Sequence, residues 1–362
     1  MELDLRGGVR AAPVLGDTPR ERQALRFAPD PRARDADPGH VARTARENEE
    51  DGLDSALVTQ SSSWPDPWIV ATWALAATSR LRIAVAHRIG VTAPTAAARS
   101  LATLDRLSGG RAAAHVIVGS SDADVARDGD TLPKAQRYRR AAEYLEVFHR
   151  ALTEEKDFSF EGEFYTLRGA RSGLRPESRG ELVSFGGSSP EGLELAARYA
   201  EVYAVAPLPL TATRLRVAEI RAAAARHGRS LRVWRSVGLV LAPTDEQALA
   251  KARRIADDAV RLSTATDSAR WTEAVQLDRD RERGRSVPGP GPAEITAYIR
   301  RSLAAAFVGS PPTVADRIDW LRTAGIDVVQ LDTSVETEED RSLRRELVTL
   351  LRTGRTHGRR GW

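Results

Sequence analysis

Apolar positions along this chain fall into two alternating rhythms. Short runs predict strands at Ser55–Thr59, Leu81–Arg88, Glu181–Gly186, Val202–Val205, Arg232–Leu241 and Val328–Leu331, with another just after Gly110-Arg111. Helical spacing predicts Pro38–Glu50, a helix opening near Pro65 and Pro67 that carries Trp68 and Trp73, and Gln136–Leu152 with Tyr144, Val147 and Phe148 inward. Further helices are Leu210–His227, Glu246–Leu262, Thr313–Ala324 and Glu338–Leu351. The clearest unit is Leu81 to Gly119. Its strand ends in the polar pair His87-Arg88, and Thr92 is placed to cap a helix with Pro94 in its first turn. Ala97, Leu101, Leu104 and Leu107 then recur at helical spacing, and Gly109-Gly110 stops the helix before the next strand. Phe158–Leu167 alternates around Glu161-Gly162 and reads as a hairpin.

Seven strands stand out, and an eighth must lie within the first thirty residues, where the pattern is weak. Strands alternating with helices and a single antiparallel hairpin predict a (β/α)8 TIM barrel with insertions. A doubly wound open sheet is the alternative, although no GxGxxG follows an early strand. One domain over residues 1–362 is expected, with an irregular segment at 1–40, an insertion or lid at 263–307 containing SVPGPGP, and a basic tail at 352–362.

Composition narrows the classes. At 362 residues and 41% hydrophobic content the chain can bury a large core. The pI of 9.6 accompanies a net charge of only +4, because nearly every cation is arginine, with lysines at 134, 156 and 251. Arginines interleaved with acids, as in RDADPGHVARTARENEED, describe solvated helix faces, not a nucleic-acid surface. No apolar run approaches the ~18 residues of a membrane span, and the first residues lack the apolar core of a signal peptide, so a cytoplasmic protein is expected. With no cysteine, disulfides, thiolate metal sites and cysteine nucleophiles are excluded. HExxH, P-loop and GxSxG patterns are absent, so the chemistry expected is that of a bound cofactor, with no metal.

Candidate residues cluster at predicted strand ends, where parallel-sheet proteins gather ligands. Phe185-Gly186-Gly187-Ser188-Ser189 opens a helix, and its bare backbone and hydroxyls suit a phosphate; an ordinary turn with a serine cap is the equal alternative. Arg137 and Tyr138 begin a helix after a polar loop and can complete such a site, though the sequence alone favours a surface helix start. Buried histidines are more often core groups than catalysts, but His87 and His115 on neighbouring strands point toward function. Arg235 inside VWRSVGLVL requires a partner or a ligand anion.

Five segments, VTAPTAAARSLATLDRLSGGR, QRYRRAAEYLEVFHRAL, FEGEFYTLRGA, FGGSSPEGLELAARYAEVY and FVGSPPTVADRI, together resemble the flavin-dependent alkanesulfonate monooxygenases of the bacterial luciferase superfamily, from about Asp51 to Leu351. The resemblance implies a TIM barrel and reduced FMN delivered by a separate NAD(P)H-dependent flavin reductase. It also implies O2 activated as a flavin peroxide, oxygenation of a small organic molecule, and a homodimer or homotetramer. It places Tyr138, Gly187, Ser188 and Ser189 at the phosphate, and His115, Gly119 and Ser120 beside the flavin ring. Arg235 matches an arginine of the substrate pocket.

Departures fall at the substrate. Trp64 stands where the family has a pocket cysteine, Val237 where it has a histidine, and Ser334 near an acidic-tyrosine position. The lid loop before FVG is shortened, leaving Arg300 or Arg301 as replacements. The expectation is therefore a substrate other than a simple alkanesulfonate, oriented by Arg235, His87 and Trp64, with His115 bonding the flavin. Two alternatives stay open: an F420-type deazaflavin-dependent oxidoreductase, and a flavin-binding barrel without turnover.

Overall fold

The strand hidden near the N-terminus is β1, Asp4–Val9. The computed structural model describes residues 3–28, 35–119, 122–171, 175–178, 181–187, 189–265, 292–333 and 335–354. Ser120, Ser188, Ser334, most of the 263–307 insertion and nearly all of the basic tail lie outside them. After β1 come β2 (Ser55–Val58), β3 (Arg82–Arg88), β4 (Ala112–Ile117) and an antiparallel hairpin of β5 (Phe158–Glu161) and β6 (Thr166–Ala170). Then follow β7 (Val183–Gly186), β8 (Val202–Val205), β9 (Arg232–Leu241), β10 (Phe307–Gly309) and β11 (Val328–Thr333).

The ring runs β1, β2, β3, β4, β7, β8, β9, β11 and back to β1, parallel at every step. Eight parallel strands closed on themselves, with helices in the connections, make the expected (β/α)8 barrel. β10 pairs only with the overhanging end of β9.

Side chains sort by strand parity. One cluster, Leu57, Ala84, Ala86, Val202, Trp234 and Val328, fills the inside of the ring. The large cluster of Ile83, Val85, Val116, Phe185, Tyr203, Val233 and Val237 packs the outside against the helices. That parity decides which polar strand residues can reach a ligand.

Helices α1 (Pro19–Leu25), α2 (Pro38–Glu50), α3 (Pro67–Ala76), α4 (Pro94–Leu107), α5 (Asp122–Arg127), α6 (Lys134–Thr153), α7 (Pro190–Tyr199), α8 (Leu210–Ala225) and α9 (Asp245–Ala265) follow the predicted pattern, except α1, the start of α4, and α5, a short helix inside the stretch expected to be a polar loop. α1 lies in the stretch read as irregular, and a capping box between Thr18 and Glu21 starts it. α4 begins at Pro94 with Ala93 at its N-cap, so Thr92 does not cap it, and Leu107 is 79% exposed instead of inward. No helix of the described residues is long and apolar enough to cross a membrane.

Candidate active site

The C-terminal ends of the strands form a mouth whose floor is Trp234. Its indole lies edge-on to His115, with centroids 4.7 Å apart, both inside the ring. Above that floor the inner faces carry small or uncharged residues, apart from Arg88 and Asp332, whose charges pair with Asp124 and Arg26. Gly8 and Ser236 are exposed although they sit in barrel strands, and Gln330, Ala204 and Gly186 are half-buried. Register places Gln330 beside Ser236, so this part of the wall is uncharged.

His115 reaches up from β4. Its Nδ1 lies 2.9 Å from Ser184 Oγ, which leans on the Ala114 carbonyl at 3.5 Å. With the hydroxyl turned to that carbonyl, Nδ1 carries the proton and Nε2 keeps its lone pair. A Cβ on Gly186 would come within 2.9 Å of Nε2, so glycine there leaves the imidazole its room. Burial, and then the charge of Arg6, lower the His115 pKa to about 3, so the ring is neutral at working pH.

The phosphate candidates meet at the β7–α7 turn. A Cβ on Gly187 would lie 3.2 Å from the Phe185 ring and 3.4 Å from the Tyr138 hydroxyl, so the turn is bare backbone facing a phenol. Ser189 caps α7, its Oγ accepting from the Gly192 amide at 3.2 Å. The Tyr203 hydroxyl donates to the Gly187 carbonyl, and Arg216 reaches that hydroxyl at 3.4 Å. Helix dipole, hydroxyls and a nearby guanidinium give the donor set a phosphate requires. Tyr203 and Arg216 escaped the sequence reading because they lie outside the Gly-Ser motif.

Gly119, two residues past β4, has φ +87°, and a Cβ there would strike Val125 at 2.4 Å. Its carbonyl accepts from Arg137, 3.3 Å away. That places Arg137 elsewhere than expected. It is fully buried, donating also to the Leu132 carbonyl at 2.7 Å and pairing with Asp122 at 2.8 Å, so it shapes the β4–α6 loop and is neither a surface residue nor a phosphate ligand. Trp64 lies half-buried in the β2–α3 loop. That loop is fastened to the rim through Ser61 and Ser62, which donate to Asp124, itself paired with Arg88 at 2.7 Å.

Two expected substrate contacts face the other way. His87 shares strand parity with Ile83 and Val85 and points to the helices. The Trp68 indole donates to its Nδ1 at 3.3 Å, which leaves the proton on Nε2 to be given to the Tyr144 oxygen at 2.6 Å. Arg235 shares the parity of Val233 and Val237, and Nη1 donates to the Leu208 carbonyl at 3.0 Å. Inward-facing Trp234 and Ser236 flank it. Val237 also faces the helices. Arg300 and Arg301 lie on the helix Pro292–Ala304, ahead of β10.

Burial lowers the His87 pKa from 6.5 to about 4. Between those values the unfolded chain binds a proton that the folded chain refuses. Stability from this group is therefore complete above pH 6.5 and is lost as pH falls toward 4, by about 3 kcal/mol in full. His115 acts in the same direction. Urea melts at pH 7.5 and 5.0 will show the lower stability at pH 5.0, and His87→Gln will reduce the difference by about half, His115 keeping the rest. Equal wild-type stability at both values would remove histidine burial as the cause.

The sequence model of the luciferase-like monooxygenase family matches residues 22–328. The chain belongs to the luciferase-like monooxygenase family. Solved structures agree on the fold of this luciferase-like barrel. Riboflavin lyase (RcaE), solved with modified FMN and riboflavin, superposes with TM-score 0.77 at 18% identity, covering 99% of this chain and 93% of its own. Long-chain alkane monooxygenase (LadA) gives 0.77 at 18% identity, covering 98% and 92%. An F420-dependent secondary alcohol dehydrogenase, in complex with an F420-acetone adduct, gives 0.70 at 16% identity, covering 97% and 99%.

Proposed function

We propose that this luciferase-like protein is a reduced-FMN-dependent monooxygenase that oxygenates a small organic substrate other than a simple alkanesulfonate. The observation that carries the reading is the convergence of Tyr138, the bare Gly187 backbone and Ser189 at the β7–α7 turn, on the face toward which His115 presents Nε2. Reduced FMN bound there, recharged by a separate flavin reductase, supplies the electrons for activating dioxygen. Tyr138 and Ser189, with Ser188 beside them in the sequence, bind the phosphate through hydroxyl donors. Gly119 would border the flavin ring, the position the resemblance also gives Ser120. His115, neutral, offers Nε2 as an acceptor and moves no proton of its own near neutrality. Trp64 supplies an aromatic wall that excludes water.

The turn of Arg235 away from the mouth supports a substrate without a sulfonate, because the expected anion contact is bonded to a backbone carbonyl. The test is an anaerobic titration with reduced FMN and, separately, reduced F420, followed by labelled dioxygen and a panel of neutral aromatic and aliphatic compounds. Tighter binding of FMN and label in an organic product are expected. Preference for F420 would make the protein a deazaflavin oxidoreductase, and FMN binding without labelled product would make it a flavin carrier.

A homodimer or homotetramer is part of the proposal. α3 reads PWIVATWALA, apolar around nearly its whole circumference, and leaves Ile69 72% and Trp73 55% exposed one turn apart. Light scattering is expected to show a dimer or larger, and Ile69→Glu with Trp73→Glu to give a folded monomer. A wild-type monomer would refute it.

A further inference from the structure

The base of the barrel, opposite the mouth, brings together more guanidinium than carboxylate groups among the described residues. Arg6 points inside the ring from β1 and is 5% exposed. Its Nε donates to Ser55 Oγ at 3.1 Å, and Ser55 in turn donates to Asp4 Oδ1 at 3.1 Å. Its Cζ stands 4.5 Å from the centre of the Trp234 ring. Nη1 is buried and has no hydrogen-bond partner.

The nearby carboxylates are engaged elsewhere. Asp4 pairs with Arg82 and, at 3.8 Å, with Arg232, while Glu181 pairs with Arg232. Three guanidiniums (Arg6, Arg82, Arg232) thus face two carboxylates (Asp4, Glu181), an excess of one positive charge. Arg111 adds a fourth guanidinium, bonded to the neutral oxygens of Ser108, Leu81, Leu75 and Thr78. Arg232 Nε is a second buried N–H without an acceptor. A cavity of about 30 Å³, lined by Arg6, Ser55, Arg82, Arg111, Glu181 and Ser184 among others, adjoins these groups.

A desolvated guanidinium without a counter-ion is among the costlier things a barrel can bury. Its environment already lowers the Arg6 pKa to about 10, burial being the main cause. Water can fill the volume and satisfy Nη1, but it leaves the charge uncompensated. We propose that this cavity binds one small monovalent anion of the halide class, chloride in ordinary buffers, against Nη1 of Arg6. The cavity, about 30 Å³, has room for a small ion beside Nη1. The site lies beneath Trp234, and an anion there would offset the Arg6 charge that helps keep His115 neutral.

Two measurements on the full chain test this. Crystals soaked in bromide should show an anomalous scattering peak beside Arg6. Thermal melts at constant ionic strength, with chloride replacing gluconate, should rise by about 2 °C for each tenfold increase in chloride once the site begins to fill. Arg6→Gln, which removes the charge and Nη1, should abolish the dependence on chloride, whatever its own melting temperature. If that variant fails to fold, the wild-type bromide map and melts still decide. A map showing water only, a peak away from Arg6, or melts indifferent to the anion would each overturn the proposal.

Discussion

Asp51→Asn will destabilise this barrel by about 3–5 kcal/mol, lowering its melting temperature by roughly 5 °C. The Asp51 side chain is 0% exposed at the end of α2, and three arginines of the last helix, Glu338–Thr353, converge on it. Arg344 approaches with Nε at 2.8 Å and Nη2 at 2.5 Å, Arg345 with Nε at 2.7 Å, and Arg341 with Nε at 3.0 Å. Burial alone would raise the carboxyl pKa, yet these guanidiniums hold it below the ordinary range. Asparagine keeps the shape and removes the charge, leaving Arg344 buried without its counter-ion. The network continues inward: Arg344 Nη1 donates to Asn48 Oδ1 at 3.2 Å, and Asn48 Nδ2 to the Gly8 carbonyl at 3.0 Å. It therefore ties the last helix to the first strand, where the ring closes. The contrast is Glu163→Gln. The Arg139–Glu163 pair has a similar 2.9 Å contact, but both side chains are more than half exposed, so no measurable loss is expected. Urea denaturation of both variants checks the difference, and equal losses would show that burial does not set the value of these pairs.

The barrel was legible in the sequence because each strand is a short apolar run bounded by turn residues, and each long helix repeats its apolar positions regularly. Side-chain direction was not. Barrel strands are buried on both faces, so β3 and β9 read as nearly continuous apolar runs without the alternation that marks an inward face. His87 points to the site from its place at a strand end, and Arg235 from its charge within an apolar strand. Their parity with Ile83 and Val233 turns them toward the helices. The same parity count, anchored on the small residues Ala84 and Ala86, would have brought Trp234 and Ser236 forward. α1 was legible in principle from Thr18-Pro19-Arg20-Glu21, but a seven-residue helix offers too few turns to show a period. The β7–α7 turn was readable because a glycine pair before a serine cap states a local backbone requirement, whatever the tertiary context.

Gly187→Val is expected to weaken FMN binding by about 100-fold, the loss of two charge-assisted hydrogen bonds. The wild-type Cα already faces the Phe185 ring and the Tyr138 hydroxyl at 3.2 and 3.4 Å from where a Cβ would stand. Branched methyl groups must therefore enter the volume assigned to the phosphate, since Phe185 is fully buried and cannot retreat. Riboflavin, which has no phosphate, separates this effect from general damage to the mouth. Its affinity should change little in Gly187→Val, so the ratio of FMN to riboflavin affinity collapses. Tyr138→Phe removes only a hydroxyl and should cost FMN about tenfold, with riboflavin again unaffected. Flavin fluorescence titrations measure all six constants, two ligands on the wild type and each variant. If riboflavin weakens in step with FMN in both variants, the β7–α7 turn does not hold the phosphate. The flavin must then lie elsewhere on the mouth, with Tyr138 and Ser189 as ordinary helix-start residues.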